Sequence, residues 1–260
     1  MTLLAVRDLR KEYPVRGALA GRRRAARHVA VEDVSFAINR GETVGLIGES
    51  GSGKSTIGRC ILRLTEPTSG SIEFDGADLA SISGRRLREV RRNLQIVFQN
   101  PEGSLDPRRS VGASIGEPLR AHKIGTRASQ RARVHQLLEQ VGLDRAVAGY
   151  RPQEFSGGER QRIGIARALA VEPALIVCDE PASALDVSVQ AQILNLLRDL
   201  QDEHGLAYLF ISHDIATVRV MCDEVIVLKD GRIVESGTTA SVLGSPVDAY
   251  TEALVAAASA

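Results

Sequence analysis

The chain has 260 residues, 43% of them hydrophobic and 25% charged, and its 33 Lys+Arg stand against 32 Asp+Glu for a formal net charge of +1. That balance excludes a disordered tail and a strongly basic nucleic-acid binder. With 3% aromatics and no Trp there is also little material for a base-stacking surface, so no nucleic-acid partner is expected. Cys60, Cys178 and Cys222 form no C-x-x-C pair, which excludes a disulfide framework or a zinc ribbon and fits a reducing compartment.

Taken in order, the apolar pattern predicts an α/β chain. Residues 3–9 and 29–38 read as strands, joined by a stretch holding Arg16, Arg22, Arg23, Arg24 and Arg27. Residues 43–47 form a short apolar strand, followed by a Gly-rich loop and a helix through Leu64. Residues 71–74 and 94–98 are further strands, and between them lie Arg85, Arg86, Arg88, Arg91 and Arg92. Both Arg runs read first as solvated faces and second as contacts for anionic lipid headgroups or an acidic partner. From residue 100 to about 155 strands stop, and Pro101, Pro107 and Pro118 punctuate a loop-helix region. Val134, Leu137, Leu138 and Val141 there mark an amphipathic helix. Beyond Ser156 the alternation resumes with a helix to about Ala170 and a buried-type strand at 174–178. A helical stripe of Val189, Ile193, Leu196, Leu197 and Leu200 precedes a strand at 208–211, and 225–228 with 232–235 read as a hairpin around Lys229-Asp230-Gly231. No apolar run nears the roughly 18 residues of a membrane span, and residues 1–8 have no signal-peptide layout.

Gly48-Glu49-Ser50-Gly51-Ser52-Gly53-Lys54-Ser55 satisfies G-x-x-x-x-G-K-[ST] between a predicted strand and a predicted helix. The glycines let backbone N–H groups surround phosphates, Lys54 can reach the β- and γ-phosphates, and Ser55 can ligate Mg²⁺. The chain holds 29 Arg and 4 Lys (Lys11, Lys54, Lys123, Lys229), yet position 54 is lysine. A compact ammonium fits a tight phosphate loop where a planar guanidinium does not. Asp179 and Glu180 end the buried strand; Asp179 would hold Mg²⁺ and Glu180 would orient or deprotonate the attacking water. His213 ends the next strand. Ser156-Gly157-Gly158-Glu159 has a capping-box reading, Ser156 at the N-cap and Glu159 at N3, which leaves two poor helix formers at N1 and N2 unexplained. Glycines at a helix N-terminus also suit an anion. Two phosphate-directed helix ends in single copy suggest ATP held between two subunits.

This set, with Gln99 in Phe98-Gln99-Asn100-Pro101 and Asp186 in Ser183-Ala184-Leu185-Asp186, resembles an ATP-binding cassette (ABC) subunit from Tyr13 to about Thr251. The segments at 95–108, 155–164 and 183–192 are most similar to ATPases of dipeptide, oligopeptide and nickel importers. The resemblance implies a P-loop NTPase (RecA-like) core with an N-terminal antiparallel β subdomain and an inserted helical subdomain. A single nucleotide-binding domain would span 1–260: core at about 1–99 and 163–240, helical subdomain at 100–162, and a C-terminal helix or tail at 241–260. It implies ATP and Mg²⁺ as cofactors, with Gly48 to Thr56 around the phosphates, Tyr13 stacked on adenine, and Ser55, Gln99 and Asp179 at Mg²⁺. Lys54, Gln99, Glu180 and His213 would serve hydrolysis, His213 at the γ-phosphate. Ser156, Gly157, Gly158 and Glu159 would complete the site of an opposing subunit, with Asp186 at that interface.

The implied partners are a second ABC ATPase, two transmembrane permeases and, indirectly, an extracytoplasmic solute-binding protein, at the cytoplasmic face of the membrane. Three departures stand out. Glu159 replaces the usual Gln, Asp248-Ala249-Tyr250-Thr251 replaces His-Pro-Tyr-Thr, and no Cys-containing C-terminal extension follows, so no cluster-binding role is expected. The alternatives are a non-transport ABC ATPase, such as an accessory subunit of a phosphonate-degrading complex, and a small-molecule P-loop kinase. The kinase gives no reason for Ser156-Gly157-Gly158 or His213.

Overall fold

Two long strands open the chain: β1 (Thr2–Pro14) pairs antiparallel with β2 (Arg27–Asn39), Val6 opposite Phe36 and Leu9 opposite Val34, with register shifts that break the alternation of burial. The computed structural model describes residues 1–14, 27–99, 103 and 105–258. Of the first Arg run only Arg27 falls within them, and it pairs with Glu12 at 3.2 Å. β3 (Thr43–Ile47), β4 (Ser69–Phe74) and β5 (Ala77–Asp78) follow. The antiparallel sheet runs β2-β1-β4-β5, the N-terminal β layer that the sequence led us to expect.

The chain divides into two units, residues 1–82 with 209–260, and residues 83–208. The division falls within β8 (Ala207–Ile211). In the first unit the second sheet runs β10-β9-β3-β8, where β9 is Glu224–Lys229 and β10 is Arg232–Thr238. β3 and β9 are parallel, with Leu46 opposite Ile226. In the second unit β8 is followed by β7 (Leu175–Asp179) and β6 (Leu94–Val97), the latter two parallel with Ile96 opposite Val177. All five residues of β3 and of β8 are buried, the pattern of parallel strands covered on both faces.

Helix α1 (Lys54–Ile61) stops three residues short of the expected end. Arg63 takes a left-handed φ of 53°, while Arg63 N–H donates to Cys60 O and Leu64 N–H donates to Arg59 O. This is a Schellman stop built on an arginine instead of glycine, which hides it from a sequence reader. The second Arg run forms α2 (Gly84–Asn93), a helix with no buried residue, where Arg85 pairs with Glu89 at 3.0 Å. Its few apolar residues left no period to read.

The rest of the second unit is mostly helical: α3 (Val111–Ile115), α4 (Glu117–Ala121), α5 (Arg127–Gln140), two short 3₁₀ turns, α6 (Gly157–Leu169) and α7 (Val187–His204). α5 buries Val134, Leu137 and Leu138, and Val141 caps it, as the period required. α7 buries Ile193, Leu196, Leu197 and Leu200 plus Leu194. Fully buried Tyr208 donates its phenol to Leu197 O at 2.9 Å, tying β8 to α7.

The first unit closes with α8 (Ile215–Met221), α9 (Thr239–Gly244) and α10 (Ala249–Ala257). Between β9 and β10, Asp230 (φ 49°) and Gly231 (φ 80°) make a two-residue turn with both φ positive, the type that matches strand twist. No helix among the described residues is long and apolar enough to cross a membrane.

Candidate active site

In the first unit β3 runs straight into the Gly-rich loop, and α1 leaves it. Gly53 is the N-cap of α1 at φ 106°, without a side-chain cap, whereas α6, α7 and α8 carry Ser156, Asp186 and Asp214 there. The loop glycines at 48, 51 and 53 all have φ in the left-handed half of the map. A side chain at Gly53 would sit 2.5 Å from Ala30 O, and one at Gly48 would overlap Leu228 O. Two glycines are thus demanded by backbone packing as well as by φ. Gly51 meets nothing, so its glycine answers to φ alone.

Lys54 is buried inside the loop. Its ammonium donates to Gly48 O at 2.7 Å, Glu49 O at 2.8 Å and Ser52 Oγ at 3.5 Å. Neutral carbonyls compensate this charge, and anionic oxygens bind an ammonium more strongly, so the loop is suited to phosphate. Glu49, Ser50 and Gly51 are exposed, while Ser55 and Thr56 are half-buried at the start of α1. Exposed His213 follows β8, whose register against β3 is held by Ser212 N–H donating to Leu46 O at 3.3 Å. Asp214 then caps α8, accepting from Ala216 N–H at 2.9 Å and from the Thr217 hydroxyl. Half-buried Tyr13 pairs with His28 on β2, and Lys11 Nζ covers one ring face at 5.0 Å from its centroid.

In the second unit Asp179 ends β7 and Glu180 follows at φ 50°, a left-handed conformation that costs a non-glycine residue energy. Gln99 Nε2 donates to Glu180 Oε2 at 2.9 Å, so two residues named from separate motifs meet directly. Ser156 and Glu159 form the expected capping box. Glu159 N–H donates to Ser156 Oγ at 3.3 Å, and Glu159 Oε2 accepts from both the N–H and the hydroxyl of Ser156 at 2.8 Å. Those bonds, the backbone one first, hold the Glu159 carboxyl below its ordinary range. The extra charge at this position is therefore spent within the cap.

Gly158 is buried, and a Cβ there would overlap Val189 Cγ1 on α7. Gly157 is exposed, and its Cβ would meet only the Leu185 Cδ2 methyl at 3.2 Å, a flexible tip that can yield. Capping and packing account for Ser156, Gly158 and Glu159, and leave Gly157 unexplained. Asp186 caps α7 through Val189 N–H at 3.0 Å and the Ser188 hydroxyl at 2.7 Å, which depress its pKa, the hydroxyl first.

Two participants were not foreseen. Gln161 on α6 is 2% exposed and donates to Phe98 O at 3.2 Å, fastening the Ser156 helix to the strand end that carries Gln99. The only signal in the sequence was a glutamine on what turns out to be a buried face. Tyr250 Oη accepts from Glu49 N–H at 3.0 Å.

A Lys-bearing Gly-rich loop between a buried parallel strand and a helix, with acidic residues ending a second such strand, defines a P-loop nucleotide-binding cassette. The chain belongs to the ABC transporter family, whose pattern matches residues 31–183. It is 52% identical over 255 residues to a Brucella ovis protein provisionally named a peptide import ATP-binding protein, covering 98% of this chain and 78% of that one. It is 48% identical to the oligopeptide transport ATP-binding protein AppF of Bacillus subtilis, covering 98% and 77%. The dimeric ATP-binding cassette MJ0796, in a post-hydrolysis state bound to ADP and Pi, superposes with a TM-score of 0.80 at 30% identity, over 91% of this chain and 99% of that one. The chain is thus an ATPase cassette of the P-loop NTPase fold, working with ATP and Mg²⁺.

Proposed function

We propose that this chain is the ATP-hydrolysing subunit of a multi-subunit importer whose cargo is a peptide. It would work at the cytoplasmic face of the membrane with a second cassette, two permeases and an extracytoplasmic solute-binding protein. The observation that carries the nucleotide role is the buried Lys54 ammonium held among loop carbonyls. The names of the relatives support the cargo.

In this reading Gly48 to Thr56 enclose the phosphates and Tyr13 offers its uncovered face to adenine. Ser55 and Asp179, with Gln99, hold Mg²⁺, which when bound neutralises phosphate charge. Glu180 orients the attacking water and accepts its proton, while Gln99, bonded to the same carboxylate, reports its state toward the permeases. His213 donates to the γ-phosphate. Exposed Gly157 lets the start of α6 approach the nucleotide of the opposing subunit, beside Asp186. Membrane extraction of the tagged chain should bring down two permeases, and the captured solute-binding protein should carry a peptide; recovery of the chain with soluble partners alone would discard the importer. Lys54→Ala should weaken ATP binding by about tenfold or more, the worth of a charge-assisted bond, and an unchanged titration with a fluorescent ATP analogue would remove the loop from the site.

A further inference from the structure

The segment Asp248-Ala249-Tyr250-Thr251, which departs from the importer pattern at its first two residues and keeps its Tyr-Thr, starts α10 and places Tyr250 on the phosphate loop. Glu49 N–H donates to Tyr250 Oη at 3.0 Å, while Glu49 O accepts from the Lys54 ammonium at 2.8 Å. The Gly48–Glu49 peptide is therefore gripped from both sides, its N–H by the phenol and its carbonyl, Gly48 O, by the lysine at 2.7 Å. Tyr250 is itself held firmly. Asp248 accepts from Tyr250 N–H at 2.8 Å, Glu235 accepts from Val247 N–H and Asp248 N–H at 3.0 and 3.1 Å, and Lys229 Nζ lies 4.8 Å from the ring centroid. The helix start is anchored without the phenol oxygen, so the Glu49–Tyr250 bond is free to act on the loop instead of on the helix. Burial first raises the Tyr250 pKa, so the oxygen stays a neutral acceptor at physiological pH.

We propose that Tyr250 is a positioning residue for the phosphate loop: its hydroxyl fixes the Gly48–Glu49 peptide, and that peptide's carbonyl, Gly48 O, sets where the Lys54 ammonium waits for the phosphates. The inference rests on the loop being the nucleotide site. It makes α10 part of the nucleotide machinery and predicts a dependence on phosphate, not on adenine.

The test uses the purified full chain, with trinitrophenyl-ATP displaced by ATP or by adenosine. Tyr250→Phe removes only the oxygen, so ATP affinity should fall about fivefold, the worth of one neutral hydrogen bond, with adenosine affinity and melting midpoint unchanged. Glu49→Pro removes the donor and should weaken ATP similarly, and adding Tyr250→Phe to it should do nothing further. Unchanged ATP affinity in Tyr250→Phe, an equal loss for adenosine, or full additivity of the two variants would each overturn the proposal. If Glu49→Pro does not fold, the phenylalanine variant decides alone. Lys54→Ala separates the two levels: unaltered ATP affinity there defeats the nucleotide reading itself, whereas a large loss there with none in Tyr250→Phe defeats only the role of Tyr250.

Discussion

Glu180 combines a left-handed backbone with a carboxylate that accepts from Gln99. A strand that ends in a strained non-glycine residue is holding that side chain in a set direction. Glu180→Gln keeps the shape and removes the proposed base, so ATP binding should persist while turnover falls about a hundredfold or more; ordinary turnover in steady-state phosphate release would sink the role. Gly157 and Gly158 separate in the same way. Gly158→Ala forces a methyl into Val189 and should cost about 1–3 kcal/mol in a denaturant melt. Gly157→Ala meets only a yielding leucine tip, so stability should hold, whereas the added methyl would hold a phosphate off the retained N–H and should lower turnover of the assembled transporter at least about tenfold. Normal turnover in Gly157→Ala would leave that glycine without a role.

Elements are joined here by a few buried polar bonds, and these were the least legible feature of the sequence. The Tyr208 hydroxyl satisfies Leu197 O inside an apolar layer. Tyr208→Phe should therefore destabilise the chain by about 1–2 kcal/mol in urea unfolding, with ATP affinity unchanged. The cores of α5 and α7 could be read from apolar stripes at helical spacing, and those of β3 and β8 from short apolar runs. The α1 stop could not, because Arg63 gives no sign of its left-handed backbone. α2 went unread for the opposite reason: a helix that buries nothing has no apolar period. α8 also passed unnoticed, although Asp214, its N-cap, was in view beside His213.

Among the described residues many charges are spent in local ion pairs, such as Arg7–Glu73 at 3.1 Å and Arg109–Glu117 at 2.7 Å. Arg10 donates to Glu12 at 2.8 Å and to Glu32 at 2.8 Å, and these bonds are the leading cause holding both carboxyls below their ordinary 4.5. A carboxyl with a lower pKa folded than unfolded contributes stability above the unfolded value and loses it as pH falls through the folded one. Stability should therefore hold from neutral pH down to about 4.5 and decline below it, with Glu159 and Asp186 adding to the decline. Arg10→Met should lower the neutral plateau and flatten the acid slope in urea midpoints measured from pH 7 to 3; an unchanged slope would mean that these pairs do not set acid stability.

By itself the sequence determined the α/β alternation, the family resemblance and the identity of Lys54, whose choice in a chain of 29 Arg and 4 Lys already pointed to a compact ammonium against phosphate. Those features are local: a period, a spacing, a residue type. Tertiary structure alone decided that Gln99 meets Glu180, that Gly158 answers to Val189 while Gly157 does not, and that Tyr250 reaches Glu49 across 201 positions of chain. Each is a contact between segments far apart in sequence, where no local pattern records the partner and only packing brings the atoms within bonding distance.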